Sequence, residues 1–284
     1  MMENITGKNL IAGKLSAQGT HTFTNLNPRT QEKSHIKFID ANQNEINEAV
    51  KQAHIAFQEI RTYSDEKIAM FLEVVAEEIM NLGEQLIHVA DWETALGSQR
   101  LIGERARTCN QLSMFASYIR KGHYKEIIID APESENGADP TKPDIRRKLI
   151  PLGPVGVFGA SNFPFAFGVC GGDTASAWAA ICPVIVKVHP THPHTSELFA
   201  HAVLKALQRL HMPHGMFSML QGETNQTGKT LITHPLVKAI GFTGSLKAGR
   251  AIYNLASHRS DPIPVYAEMS SVNPVFIMES MLSQ

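Results

Sequence analysis

The stretch Pro151–Pro190, PLGPVGVFGASNFPFAFGVCGGDTASAWAAICPVIVKVHP, decides the fold of this chain. It begins with the short apolar run Val155–Phe158, turns at Gly159–Asn162, passes through a segment rich in small residues, and ends on the apolar run Val184–Val186. The apolar runs are typical of strands buried on both faces, and the segment from Pro164 to Pro183 is predicted to be a helix. Together they form a βαβ unit, which is right-handed by strong default.

The pattern of strands alternating with helices continues after this unit. Further strands are predicted at 217–220, 237–242 and 264–267, and helices at 196–210, 227–233 and 246–255. Before the unit, short strand signals at 9–40 precede four amphipathic helices between residues 43 and 119, the first opened by a capping box at Asn42 and Glu45. Gly97 suits the end of the third helix. The alternation predicts an α/β fold with a doubly wound parallel sheet.

A strand-like pair interrupts the order between the helices and the βαβ unit. His123–Asp130 and Asp144–Pro151 flank a segment rich in proline, glycine, serine and acidic residues. We interpret residues 123–151 as a β-hairpin arm. An isolated two-stranded ribbon is marginally stable in water, so such an arm usually pairs with another subunit or another part of the fold. From the pattern alone, an ordinary surface hairpin is an equally good interpretation.

Composition and charge bound the function. The chain has 284 residues, 43% hydrophobic and 19% charged, which are values of a globular protein. A net charge of −1 gives no attraction to nucleic acid or to an anionic membrane. No apolar run approaches the length of a membrane span, no signal peptide is visible at the start, and three cysteines are an odd number. These features predict a cytoplasmic protein with reduced thiols.

Three polar residues come directly after predicted strands. In doubly wound sheets, ligands bind beyond the carboxyl ends of the strands, and Asn162, Lys187 and Glu268 occupy such positions. An amide at Asn162 can donate to a developing oxyanion, Lys187 can hold a ribose or a phosphate, and Glu268 can act as a general base. Each is also compatible with a plain turn residue, a solvated lysine or a loop carboxylate, and the residues alone do not decide.

The segment Gly241–Ser245 places glycines and hydroxyl groups at a strand-to-helix junction. Backbone N–H groups at the start of a helix can receive a phosphate. Capping of the helix by Thr243 or Ser245 is the commoner role for such residues. Both possibilities stay open at this level.

Histidines and cysteines are the remaining residues that are candidates for metal binding or nucleophilic attack. The histidines lie in a proline-containing run that keeps the chain extended, so no metal site is predicted; they are His189, His192, His194 and His201. The cysteines lie among apolar or helical residues without a neighbour that would lower their pKa values; they are Cys109, Cys170 and Cys182. We predict core packing for the thiols and no nucleophile among them.

Taken together, these pieces resemble the aldehyde dehydrogenase superfamily. The motifs that carry the resemblance are, in order, Gly153–Val157, Ser161–Pro164, Val186–Lys187, Phe242–Ser245, Glu268 and Asn273–Pro274. A closer likeness to the 2-oxoglutarate semialdehyde (2,5-dioxopentanoate) dehydrogenase branch rests on Phe165–Phe167, Gly171–Ala177, Cys182–Val184, His189–Pro190, His192–Pro193 and Ala267–Ser271. The resemblance covers nearly the whole chain.

The resemblance implies NAD(P)-dependent oxidation of a small aldehyde. In that reaction a cysteine thiolate attacks the carbonyl group, and hydrolysis of a thioester completes the reaction. It implies that Asn162 holds the oxyanion, that Glu268 activates water, and that Lys187 binds the adenosine ribose. The other cofactor-binding positions that it implies are Ser161, His189, Gly222, Gly244 and Ser245. For the carboxylate of the substrate, Arg105 and Arg107 on the fourth helix are candidates by position.

The cofactor preference follows from the run after Lys187. Family members often carry a glutamate shortly after this lysine that grips the free ribose 2′-hydroxyl, whereas the run Lys187–Thr191 contains no acid. We therefore predict NADP as the preferred cofactor, with NAD still possible.

The resemblance places the nucleophilic cysteine of the family after Gln284. The expected division is a nucleotide-binding domain at 1–267, including the arm, and the start of a truncated catalytic domain at 268–284. The chain alone is then expected to be inactive, as the nucleotide-binding half of a split enzyme or a non-catalytic relic. Expected partners are further copies joined through the arm, or a second polypeptide that carries the missing half.

Overall fold

A computed structural model describes residues 5–132 and 142–281. Its main sheet follows the order β11 (Val265–Met269), β10 (Ala239–Gly244), β7 (Val155–Phe158), β8 (Val184–Lys187), β9 (Phe217–Leu220), β1 (Asn9–Ile11) and β2 (Lys14–Ser16). The first five strands are parallel, which confirms the α/β fold with a doubly wound sheet. The sheet is mixed rather than purely parallel, because β1 and β2 join its edge as an antiparallel hairpin without a crossover helix.

The strand order reverses beside β7. From β7 the chain moves through β8 to β9 on one side, and then returns to place β10 and β11 on the other side of β7. The gap above the carboxyl ends of β7 and β10 is therefore the topological switch point, where open α/β sheets bind their ligands.

Eight helices of the described residues cover the sheet. They are α1 (Gln43–Ile60), α2 (Asp65–Asn81), α3 (Gly83–Thr94), α4 (Ser98–Arg120), α5 (Gly172–Ala179), α6 (Pro193–Arg209), α7 (Asn225–Thr233) and α8 (Leu246–Ser257). One hydrophobic cluster packs the helices from α2 through α6 against one face of the sheet. A second cluster packs α1, α7 and α8 against the opposite face. Alternate residues of β8 enter different clusters, Val186 the first and Ile185 the second, as expected for a strand buried on both faces.

The predicted capping box is confirmed and one predicted helix end is wrong. Asn42 and Glu45 form the capping box of α1, and Ser64 caps α2. Gly97 does not end α3, because Ala95 takes the left-handed conformation there at φ 56°. Gly97 instead precedes α4 at φ 87°, so the reversal between the two helices is completed within three residues.

The predicted helix after Pro164 begins later than expected, at Gly172. Residues 164–171 form successive turns that approach each other closely: a side chain at Gly168 would lie 1.9 Å from the carbonyl oxygen of Pro164. A side chain at Gly171 would lie 2.4 Å from the carbonyl oxygen of Ala166. The glycines thus permit a folded loop in place of the first helical turns.

The predicted arm is present and shorter than the sequence suggests. Strands β5 (Ile128–Asp130) and β6 (Ile145–Arg147) pair antiparallel, and a 3-10 turn at His123–Lys125 replaces the beginning of the predicted first strand. Gly122 and Glu126 flank that turn with positive φ values and prevent extension there. Residues 133–141 of the predicted connection lie outside the described residues. A small pair of strands, β3 (Thr22–Phe23) and β4 (Phe38–Ile39), lies in the amino-terminal segment.

No helix within the described ranges has the length and hydrophobicity that crossing a bilayer requires. The segment after β11 lacks regular structure as far as residue 278 and is exposed, including Val275 and Phe276 at 82% and 85%.

Candidate nucleotide-binding site

The polar residues predicted from the strand ends lie along one edge of the sheet. Phe158, the last residue of β7, is in register with Lys187 at the end of β8. On the other side of β7, Thr243 of β10 is in register with Glu268. The sequence predicts Glu268 just after its strand, but it lies within β11, which extends to Met269. Its side chain is exposed and shares the face of the sheet with that of Thr243.

Lys187 is a largely buried cation at this edge. Burial lowers the pKa of its ammonium group to about 8, and the carboxylates of Asp40 and Glu223 oppose that decrease. No hydrogen bond or ion pair of the Lys187 ammonium is found among the residues that the structure describes. A buried, unpaired ammonium is costly, so this group is suited to an anionic or hydroxyl-bearing ligand.

The two acids near Lys187 come from distant parts of the chain. The Asp40 carboxylate accepts hydrogen bonds from the N–H groups of Glu223 and Thr224, at 2.8 and 3.0 Å, and from the Thr224 hydroxyl at 2.7 Å. Glu223 Oε2 also lies 3.1 Å from Nε2 of His21. Neither acid was predicted, because both lie outside the run that follows Lys187 in the sequence. The position of Glu223, three residues after the predicted end of β9, is the signal that could have identified it.

Gly222 makes room for the Lys187 side chain. A Cβ atom at this position would lie 3.3 Å from Cε of Lys187 and 2.9 Å from the hydroxyl oxygen of Thr227. The predicted cofactor-binding residues Lys187 and Gly222 are thus neighbours.

Replacement of Gly222 by alanine is expected to shift the ammonium of Lys187 and to weaken NADPH binding a few-fold. The variant is measured by isothermal titration calorimetry. The control is Gly103→Ala, because a Cβ there meets nothing within 4 Å and the position is exposed in α4. We expect the control to bind normally and to gain about 0.5–1 kcal/mol of stability. Unchanged binding by Gly222→Ala would contradict the assigned role.

Each imidazole ring of the histidine-rich run has its own partners. Nδ1 of His189 accepts from the Thr191 N–H at 3.3 Å, so Nε2 carries the hydrogen of the neutral ring. Burial, together with His192 and Lys187, lowers the pKa of His189 to about 3, and the ring is therefore neutral near pH 7. His194 contacts the buried carboxylate of Glu93 at 2.6 Å. Within the described residues, no three histidine, cysteine, aspartate or glutamate side chains form a group suited to a metal ion.

The turn that carries Asn162 packs against α4. Nη2 of Arg100 donates to the backbone oxygen of Asn162 at 2.8 Å, and its guanidinium lies 5.0 Å from the centre of the Phe163 ring. The guanidinium of Arg107 lies 5.7 Å from Phe163 and 5.2 Å from Phe167. Two cations therefore flank the Asn162 turn.

The two arginines predicted for the substrate carboxylate differ in position. Arg105 is only 9% exposed, and its Nη1 donates to the carbonyl oxygen of Gly83 at 2.7 Å, within the helical layer. Arg107 is exposed beside the Asn162 turn. Arg100, which the sequence analysis did not select, makes the contact to Asn162 itself. The role of Arg100 can be recognised only once α4 is known to pack on this loop.

Glu104 holds the same loop from below. Its Oε1 accepts from the N–H groups of Phe165 and Ala166, at 2.8 and 2.9 Å, and the side chain is 5% exposed. These two N–H groups are thereby satisfied although the segment is not helical.

Ser245 caps α8, as the commoner interpretation predicts. Its hydroxyl oxygen accepts from the Ala248 N–H at 3.2 Å. Gly244 and Gly249 allow close packing at this junction, since Cβ atoms there would lie 2.7 Å from the Phe242 ring and 2.6 Å from Cγ of Met269. The first N–H groups of α8 point beyond the carboxyl end of β10, where a phosphate can accept from them.

The three thiols are unsuited to nucleophilic attack. Cys109, Cys170 and Cys182 are 9%, 1% and 2% exposed. Burial raises the pKa of Cys109 to about 11 and also raises the pKa values of the other two. Thiolates are therefore scarce near pH 7.

A groove of about 880 Å³ lies at the amino ends of the strands, on the far side from these residues. It is lined by residues of α1, the turn after α1, the arm and β11, among them Arg61, Tyr63, Leu149 and Tyr266. Since ligands of doubly wound sheets bind at the carboxyl ends, we do not assign the nucleotide to this groove.

The fold described above is that of a doubly wound α/β protein, and the polar residues lie at the edge where such sheets bind their ligands. The aldehyde dehydrogenase family model matches residues 15–281, and the chain belongs to this family. It is 44% identical over 280 residues to alpha-ketoglutaric semialdehyde dehydrogenase 2 of Azospirillum brasilense, and 42% identical over 283 residues to alpha-ketoglutaric semialdehyde dehydrogenase of Acinetobacter baylyi. These alignments cover 98% and 100% of the chain but 53% of each relative, so the chain spans about half the length of the curated relatives it matches.

Solved structures show the same fold. The chain superimposes with a TM-score of 0.80 on a NAD-dependent benzaldehyde dehydrogenase from Corynebacterium glutamicum, at 22% identity, covering 95% of this chain and 56% of that one. The TM-score is 0.79 with an NADP-dependent glyceraldehyde-3-phosphate dehydrogenase from Bacillus halodurans complexed with NADP, at 19% identity, covering 94% and 53%.

Proposed function

We propose that this chain is the nucleotide-binding part of an NADP-dependent dehydrogenase of 2-oxoglutarate semialdehyde. The substrate class is supported by the 44% and 42% identities to relatives named for that activity. The single structural observation that supports nucleotide binding is the buried, unpaired ammonium of Lys187 at the carboxyl edge of the sheet, next to the topological switch point.

The residues present fit a dinucleotide. Lys187 and the neutral ring of His189 offer hydrogen-bond donors to the adenosine ribose, and Gly222 leaves the space that the lysine uses. Ser161 and Gly244 border the switch point, and Ser245 with the first N–H groups of α8 receives the pyrophosphate. When bound, NADP supplies the hydride acceptor of the reaction.

NADP is favoured over NAD by the charge on the ribose side. Lys187 is cationic, and no carboxylate occurs in the run from Lys187 to Thr191. Glu223 is the acid that opposes this preference, because its carboxylate interacts electrostatically with Lys187. Its contact with His21 and the hydrogen bond from its backbone N–H to Asp40 hold it in the β9–α7 loop.

The substrate end is the turn after β7. We propose that the Asn162 amide donates to the carbonyl oxygen of the aldehyde as negative charge develops on it. Arg100 and Arg107 provide positive charge for the substrate carboxylate, whereas Arg105 is committed to Gly83. Glu268, exposed on the same edge, is the proposed base that activates water.

The purified chain is expected to bind NADPH and to form none from NADP and 2-oxoglutarate semialdehyde. None of its three thiols supplies a thiolate near pH 7, and the proposed reaction requires one. Formation of NADPH is followed by absorbance, and the A. brasilense relative serves as a positive control for the quality of the substrate. Steady turnover by the chain that disappears in one cysteine variant would show that a buried thiol is the nucleophile.

We propose further that the arm joins subunits. Ile127, Ile129 and Ile145 are 61%, 62% and 51% exposed on and beside its two strands, which leaves apolar side chains and strand edges uncovered. Light scattering after size exclusion is expected to give a dimer or a larger oligomer, and Ile129→Lys together with Ile145→Lys is expected to give monomers. A monomeric wild-type chain would contradict this assignment.

A further inference from the structure

His192 contacts the turn of a neighbouring strand although it belongs to the loop after β8. Its ring is fully buried, and Nε2 lies 2.7 Å from the carbonyl oxygen of Ala160. A carbonyl oxygen only accepts, so Nε2 carries a hydrogen and donates it. The imidazole therefore joins the loop after β8 to the turn that carries Asn162.

This contact comes where the strand ladder stops. The Gly159 N–H donates to the Lys187 oxygen at 3.2 Å, as the last bond between the continuations of β7 and β8. The next residue, Ala160, turns away and donates its N–H to Phe167 at 2.8 Å. Beyond the ladder, the His192 imidazole is thus a direct link between the two turns.

The ring is itself fixed by its surroundings. It stacks on the His189 ring, with centroids 5.8 Å apart and planes inclined by 25°. On the other side, Nδ1 lies 3.3 Å from the Ser196 hydroxyl oxygen, and that hydroxyl donates to the His192 carbonyl oxygen at 2.9 Å. Through the His192 ring, the position of Ala160 is therefore fixed relative to both α6 and the loop of His189.

We propose that His192 is a positioning residue that sets the Asn162 turn relative to the ribose side of the nucleotide site. What the two turns bind rests on the proposed function. The coupling of the two turns rests on the contacts alone. Small displacements of a catalytic group from its productive geometry cost large factors in rate, so a fixed link between these turns has functional value.

The test uses two amide replacements of His192 that differ in reach. The side chain of His192→Gln places an N–H near the position of Nε2 and can still donate to Ala160. The side chain of His192→Asn reaches only to the Nδ1 side, toward Ser196. Hydrogen exchange of backbone amides is measured by mass spectrometry in the full chain, and NADPH affinity by calorimetry.

The expected result is a local change in the asparagine variant. Exchange of the amides at 160–163 rises about 5- to 10-fold and NADPH affinity falls by a similar factor, as for loss of one buried hydrogen bond. His192→Gln restores most of both. The matched control is His194→Gln, since His194 is equally buried and bonds to Glu93 and Ser34 rather than to Ala160. It is expected to lower the melting temperature without a selective change at 160–163.

Two results would overturn the proposal. One is exchange at 160–163 that is the same in wild type and His192→Asn. The other is an increase spread evenly over the sheet, as in the control, which means a general structural role. If the wild-type chain binds no NADPH, the proposed function fails, while the exchange comparison still decides on the link between the turns.

Discussion

Replacement of Lys187 by methionine is expected to weaken NADPH binding roughly 10- to 150-fold, the value of about 1.5–3 kcal/mol for a hydrogen bond to a charged group. The methionine retains the length and apolar stem of the lysine. It removes only the ammonium, which has no partner among the described residues and whose Cε lies in the space left by Gly222. NADH is expected to lose less affinity than NADPH, because it lacks the 2′-phosphate.

The pH dependence of binding gives a second readout for Lys187. Its pKa in the free chain is about 8, lowered by burial, so the cation is lost as pH rises through that value. A bound anion favours the protonated form. We therefore expect NADPH affinity of the wild type to decrease above about pH 8 and that of the variant to stay flat. Lys205→Met, at an exposed position of α6, is the control. Equal affinities for wild type and Lys187→Met would contradict the assignment.

Replacement of Glu93 by leucine is expected to lower the free energy of unfolding by about 3–5 kcal/mol, as for removal of one partner of a buried ion pair. Oε1 of Glu93 accepts from Asn25 and from the backbone of His194, and Oε2 accepts from the backbone and hydroxyl of Thr195. The leucine would leave these donors buried without a partner. This carboxylate anchors the start of α6, directly after the loop of His189 and His192.

Acid is expected to unfold the wild type partly through this group. Burial alone would raise the pKa of Glu93, but the hydrogen bonds and charge of His194 and the bond from Thr195 outweigh it and leave the pKa lowered. A carboxyl whose folded pKa lies below its unfolded value stabilises the protein above the unfolded value of about 4.3 and loses this contribution as pH falls. The leucine variant lacks that part of the acid dependence.

Chemical denaturation at pH 7 and at pH 4 measures both effects. Glu84→Gln, an exposed position of the same helix, is the control and is expected to change stability by less than about 0.5 kcal/mol. A Glu93→Leu chain as stable as the wild type at pH 7 would show that the carboxylate does not anchor α6.

Local patterns predicted most of the architecture. The capping box at Asn42 and Glu45 and the buried strand before Lys187 are signals carried by a few adjacent residues, and both are present in the structure. The helix after Pro164 begins late because Glu104, some sixty residues earlier, binds N–H groups of the loop. A tertiary contact of this kind leaves no mark in the local pattern.

The site was predictable to the same extent. The strand ends predicted that Asn162, Lys187 and Glu268 lie along one edge of the sheet, because the carboxyl edge of a parallel sheet follows from the strand order. The residues that surround Lys187 could not be predicted from the local sequence. Asp40 precedes Lys187 by more than a hundred positions, and only the fold brings the two close together. The same holds for Arg100, whose contact with the Asn162 turn depends on the packing of α4.

The most direct test of the central claim is to map the site of NADPH binding on the ¹⁵N-labelled chain by transverse-relaxation-optimised NMR. We expect the perturbed amides to cluster at 159–163, 187–189, 222–224 and 244–248, on both sides of the switch point between β7 and β10. Perturbations confined to the groove of Arg61, Tyr63, Leu149 and Tyr266, or no saturable perturbation at all, would contradict the assignment of the carboxyl edge as the nucleotide site.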